Sequence, residues 1–157
     1  MSFIVFLDVD GVLNSRNTVE RSPDGYRGVD HLRVKVLADV INKYGGGELV
    51  ITSDWKILAS DDDYEYLANK LKEYGLSVSG KTDDEGPDRG KGVDEYLKTH
   101  PEIEEYVILD DNTFDYDDYP KLWERLLITD GIEKARPASK TPAVEAIIFM
   151  DYINEVG

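Results

Sequence analysis

Four stretches of this chain combine residue types and spacings that suit chemistry: "DVDG" at 8–11, "TS" at 52–53, "DRGKG" at 88–92 and "DD" at 110–111. Asp8 and Asp10 are separated by one valine, and in an extended segment residues two apart point the same way. Both carboxylates can face one bound group, one attacking an electrophile while the other handles the leaving group's proton. Gly11 lets the backbone turn away sharply behind them. Carboxylates beside an apolar run are costly unless something compensates. Hard oxygen donors suit Mg²⁺, while a hydroxyl pair and a cation suit the oxygens of a phosphoryl group. That chemistry requires the four stretches to meet in one place.

The elements around them supply the meeting place. Short apolar runs predict five strands, Phe3–Asp8, Glu48–Thr52, Leu76–Ser79, Glu105–Asp110 and Arg125–Thr129. "FIVFL", "LVIT" and "YVIL" are continuously apolar, as strands of a parallel sheet covered on both faces should be. Between them, Leu32, Val36, Leu37, Val40, Ile41 and Tyr44 repeat at helical spacing and end at "GGG". Tyr64, Leu67, Leu71 and Tyr74 form a second stripe, and Val93, Tyr96 and Leu97 a third. A last helix is expected from "KTPAVEAIIFMDYI", with Thr141 as N-cap and Pro142 at its first position. Alternating strands and helices predict an α/β three-layer sandwich around a mostly parallel five-stranded sheet, in a single domain over 1–157. Ligands of such sheets bind beyond the carboxyl ends of the strands. Asp8, Asp10, Thr52, Ser53, Asp110 and Asp111 all fall there, with Arg89 and Lys91 just ahead of the third helix.

Composition narrows the partners. The formal charge is −15, from 33 acidic and 18 basic residues, which argues against an extended nucleic-acid track while leaving room for one local phosphate. Cysteine is absent, which removes disulfides, thiolate metal sites and a cysteine nucleophile. No apolar stretch approaches the ~20 residues that span a bilayer, and "FIVFL" runs into acid without a basic flank, so the expectation is a cytoplasmic protein without a membrane partner. The oligomeric state is left open by the sequence.

"DVDGVLN", "LVITS", the basic residue opening "RGKGVDEYL" and "YVILDD" resemble, in order, the four motifs of the haloacid dehalogenase-like (HAD) phosphohydrolases. The resemblance covers roughly residues 3 to 112, and is nearest to small capless members, including those associated with nucleic-acid repair. It implies a Rossmann-like fold and a Mg²⁺-dependent phosphatase working through a phospho-aspartate. Under it, Asp8 is the nucleophile and Asp10 the general acid and base, with the Asp10 backbone carbonyl on the metal. Thr52 binds the phosphoryl oxygens, supported by Ser53, and either Arg89 or Lys91 is the cation. Asp110 and Asp111 complete the metal set with Asp8 and Asp10. Residues 14–28 would form a flap, with Asn14, Arg16 and Lys56 as possible substrate contacts and Arg21, Tyr26 and Arg27 beside them. Neither interval between motifs has room for a large cap. The open site suits a nucleotide, a phosphorylated nucleic-acid end or a phosphorylated protein loop.

Other readings fit less well. A calcium-binding loop over "DVDGVLNSRNTVE" needs glycine sixth and glutamate twelfth, where the chain has glycine fourth and Val19 twelfth. A signalling receiver domain needs adjacent acids after its first strand, and here Val9 splits them. An inactive scaffold that binds a metal or a partner is the remaining alternative, opposed by intact chemistry at all four motifs. His31 and His100 are isolated and read as surface or capping groups. "SDDD" at 60–63 reads as helix-start charge, "DYDDY" at 115–119 as a solvated loop, and Trp55 as a packing residue.

Overall fold

The computed structural model describes residues 3–58, 60–84 and 87–156. Its strands are β1 (Ile4–Leu7), β2 (Glu48–Ile51), β3 (Val78–Lys81), β4 (Tyr106–Asp110), β5 (Leu126–Thr129) and β6 (Ala135–Pro137). They form one sheet in the order β3-β2-β1-β4-β5-β6. The first five are parallel, as expected. The sixth, β6, pairs antiparallel with β5 and enlarges the expected five-stranded sheet. The helices are α1 (His31–Tyr44), α2 (Trp55–Leu58), α3 (Asp61–Glu73), α4 (Arg89–Thr99), α5 (Pro120–Trp123) and α6 (Val144–Val156).

Strand alternation divides β1 between two cores. Phe3, Val5 and Leu7 pack with Leu37 and Ile41 of α1, Leu67 and Leu71 of α3, and Phe149 and Ile153 of α6. Ile4 and Phe6 face the other way, onto Val93 of α4 and onto Tyr116 and Leu122. A strand buried on both faces in this way has no room for polar residues until its end, which is where Asp8 appears.

Strand ends shift by a residue or so, and three expectations change further. Leu76 is not in β3, because its amide closes the end of α3 on the Leu71 carbonyl, and the strand starts two residues later at Val78. The last helix starts at Val144, since Ser139 Oγ accepts the Thr141 amide in a turn ahead of it and Thr141 is not its N-cap. "DYDDY" is not a solvated loop throughout: Tyr116 is fully buried and Asp115 accepts the amides of Gly90 and Lys91 at the head of α4.

Residues 15–28 fold back on themselves through an Arg21–Arg27 bridge and a Gly28 amide to Glu20 carbonyl bond. The segment is fastened to α3. Asp63 is buried and accepts from Ser22 Oγ at 2.8 Å and from the Asp24 amide at 3.0 Å. The same Asp63 donates its own amide to the Ser60 cap, so "SDDD" both starts a helix and anchors the flap. Tyr66 adds a second tether, donating to Glu20 and accepting the Val29 amide. Replacing Asp63 with alanine leaves Ser22 Oγ and the Asp24 amide without their acceptor, and should destabilise the fold by about 1–3 kcal/mol in urea unfolding. A loss below the error of that measurement would show the flap to be held by other contacts.

Candidate functional site

The strand order reverses between β1 and β4, so their connections leave in opposite directions and a crevice opens at their carboxyl ends. Register then places the acids. Leu7 pairs with Leu109, and the Asp8 amide donates to the Leu109 carbonyl at 3.0 Å, which sets Asp8 beside Asp110. Carboxylate oxygens of Asp8, Asp110 and Asp111 all lie within 4.8 Å of one another. Gly11 makes this approach possible: its φ is +84°, and a Cβ there would fall 2.1 Å from Asp111 Oδ2.

Arg89 opens α4 and is buried against the same acids. One guanidinium nitrogen donates to Asp8 Oδ1 at 2.8 Å and to Asp110 Oδ2 at 3.1 Å. The other lies 3.7 Å from Asp54, and the Phe114 ring sits 4.4 Å from the guanidinium carbon. Lys91 lies two residues on along the helix and is exposed, leaving Arg89 as the cation at the acids. One guanidinium bonded to Asp8 and Asp110, with Asp111 beside them, leaves a residual negative charge that a divalent cation would neutralise, and the donors are the hard oxygens that Mg²⁺ prefers. Thr52, at the end of β2 beside β1, has a buried hydroxyl with no hydrogen-bond partner, a donor waiting for an oxygen. These residues fit the metal and the phosphoryl group together.

The Asp10 side chain stands outside the three-acid cluster, so the metal contact implied for it would come from its backbone carbonyl. Its Oδ1 accepts from Asn14 Nδ2 at 2.8 Å and from Trp55 Nε1 at 3.3 Å, which fixes the carboxyl and leaves Oδ2 free. Asn14 is therefore not a substrate contact. It is fully buried, and its amide bridges Asp10 to the Gly28 carbonyl at the base of the flap while its Oδ1 accepts the Gly11 amide. Trp55 packs, as expected, and also donates to Asp10.

Lys56 is likewise not poised for substrate. Its ammonium is buried, donating to the Thr52 carbonyl at 2.8 Å and to Asp84 at 2.9 Å. The pair ties the strand end carrying Thr52 to the loop ahead of α4. Ser53, beside Thr52, is almost wholly buried, and its Oγ accepts the Trp55 amide at 3.3 Å. Arg16 is exposed on the flap, where a substrate could reach it. The contacts of Asn14 with the Gly28 carbonyl and of Asp84 with Lys56 carried no local signal, because those partners lie 14 and 28 residues away along the chain. His31 joins a surface network with Glu20, Lys70 and Tyr74, and His100 stacks on Tyr96, so neither enters the site.

Electrostatics follow from burial. Desolvation pushes the Asp8 carboxyl up to about 7 against the pull of Arg89. Desolvation and the Asp8 charge push Asp110 upward as well. A carboxyl raised in the folded state holds its proton more firmly there than when unfolded, so its contribution to stability is lost as pH rises. For Asp8 the window runs from its ordinary 3.8 to about 7. Without metal, the wild-type melting temperature should fall between pH 5 and pH 7.5 more steeply than that of Asp8→Asn, and Mg²⁺ at pH 7.5 should recover it. Calorimetry showing parallel profiles for the two proteins would contradict this account of Asp8.

Neither the curated proteins nor the solved structures yield a match to this chain. A family pattern does match, over residues 4–133, from β1 through the turn that follows β5. That span holds all the acids, Thr52 and Arg89, and more than half of the chain. The chain belongs to the family described as the HAD domain in Swiss Army Knife RNA repair proteins.

Proposed function

We propose that this protein is a Mg²⁺-dependent phosphomonoesterase that forms a phospho-aspartate on Asp8 and acts on a phosphorylated nucleic-acid end or a nucleotide. The observation that carries the reading is the three-acid cluster of Asp8, Asp110 and Asp111, two of whose members, Asp8 and Asp110, accept from one guanidinium, Arg89. Phosphatase-type chemistry is what the family suggests.

An Asp8 carboxylate oxygen attacks phosphorus and the bond to the leaving oxygen breaks. Asp10, oriented by Asn14 and Trp55, gives its proton to that oxygen through the free Oδ2. Asp10 then takes a proton from water, whose oxygen attacks phosphorus and releases phosphate, restoring the Asp8 carboxylate. Arg89 and the Thr52 hydroxyl meet the charge that spreads over the phosphoryl oxygens. Mg²⁺, held by Asp8, Asp110, Asp111 and the Asp10 carbonyl, would supply charge neutralisation at the phosphoryl group.

The substrate class is supported by the surroundings. Among the described residues no folded insertion covers the strand ends: between β1 and β2 lie only the flap and α1. The flap exposes Arg16, Arg21, Tyr26 and Arg27. Arg21 and Arg27 oppose each other across the bridge, a like-charge pair that an anionic ligand would relieve. Cations around an exposed aromatic ring suit a nucleotide.

The deciding experiment is hydrolysis with Mg²⁺ of nucleoside 3′- and 5′-monophosphates, 3′- and 5′-phosphorylated oligonucleotides, sugar phosphates and phosphopeptides. Turnover should favour the nucleotides and oligonucleotides and vanish with chelator. Asp8→Asn should lose at least a hundredfold in kcat, and a loss of under tenfold would sink the nucleophile assignment. Arg89→Ala should cost on the order of a hundredfold or more, while Lys91→Ala stays within about twofold. Equal small losses at both positions would mean that another donor holds the phosphate.

A further inference from the structure

A groove of about 880 Å³ opens at Asp111 of the three-acid cluster. Asp111, Thr129, Lys134 and Arg136 are among the residues that line it. From these features we infer that the groove seats the sugar-phosphate backbone of a single-stranded nucleic acid whose terminal phosphate lies over Asp8. The inference rests on the phosphomonoesterase reading and extends it from the phosphate to the strand.

The charges support a polyanion there. Lys134 and Arg136 are exposed, and neither forms an ion pair among the described residues. Two unpaired cations in one groove are notable in a chain with a formal charge of −15. Of the acids nearby, Asp111 belongs to the three-acid cluster, and Glu133 accepts Arg33 Nε at 2.8 Å. Asp130 is the exposed acid that remains, facing the two cations Lys134 and Arg136. Thr129, at the end of β5, also lines the groove, and its buried hydroxyl has no partner among the described residues.

The groove is also held in place before any ligand arrives. Asn154 of α6 accepts the Ala135 amide and donates to the Ala135 carbonyl, fixing the backbone between the two cations. The β5–β6 turn is tied to the loop behind Asp10 by Gly131 amide to Gly11 carbonyl and Ile132 amide to Val12 carbonyl bonds, each 2.9 Å. Lys134 and Arg136 are two residues apart, so extended backbone spaces them by roughly 6–7 Å, close to the separation of successive phosphates in an extended strand. That spacing fits one or two nucleotides, in keeping with an acidic protein that lacks a long basic track.

The test is binding of a fluorescein-labelled, end-phosphorylated single-stranded oligonucleotide to the Asp8→Asn protein with Mg²⁺, read by anisotropy across a salt series. Adding K134A/R136A should weaken binding tenfold or more and reduce the slope of log affinity against log salt by about 1.4, two single-strand phosphate contacts. K98A/K121A removes the same formal charge elsewhere and should leave the affinity within twofold. Equal losses in the two double variants, or no loss in K134A/R136A, would overturn the groove. A phosphopeptide that binds as tightly and loses as much in K134A/R136A would overturn the nucleic-acid assignment. Hydrolysis of p-nitrophenyl phosphate by the wild type is scored separately, so a failed phosphatase reading and a failed groove give different results.

Discussion

The parallel ladder between β1 and β4 is the constraint on which the rest depends. It joins the first strand to residues near 110, and its register decides that Asp8 and Asp110 are neighbours. Once they are adjacent, burial makes two ionised carboxylates intolerable without a counter-charge. Arg89 answers that need, and its position in turn dictates where α4 must begin. Asp115 holds the head of that helix by two backbone amides, and Phe114 packs over the guanidinium. A phenylalanine and an acidic loop thus serve a single arginine.

A second set of buried polar contacts surrounds the first and does no chemistry itself. Asn14 fixes Asp10, and Lys56 with Asp84 fixes the strand end that carries Thr52. Burying an ion pair gains little stability over apolar packing, and removing one partner leaves an uncompensated charge that costs several kcal/mol, about 3–5. The benefit of such a pair is a fixed geometry. Reacting groups held in place need little rearrangement when charge develops.

Much of this was legible in the sequence, for identifiable reasons. The three central strands announce themselves because burial on both faces demands unbroken apolar runs, and their carboxyl ends locate the acids. β6 was missed since an edge strand of three residues containing proline needs no apolar run. β3 shifted because Leu76 serves the preceding helix instead. Asn14, Ser53 and Lys56 were assigned to the substrate or its phosphate from their nearness in sequence to catalytic motifs. Asn14 and Lys56 are engaged by Gly28 and Asp84, far along the chain, and nothing local reveals those contacts. Arg89 and Lys91 could not be separated by composition, and the turn of α4 separates them in space.

The interlock of Gly11 with Asp111 has a consequence for how the protein matures. The carboxylate occupies the volume that a side chain at position 11 would need, and it arrives roughly a hundred residues later in synthesis. A nascent chain that has emerged only as far as α4 owns Asp8 and Arg89 but neither acid of the β4 end. Its half-built crevice has no three-acid pocket to offer, and contacts so distant in sequence form late. The three-acid cluster is therefore a property of the finished sheet, and the incomplete chain does not present it.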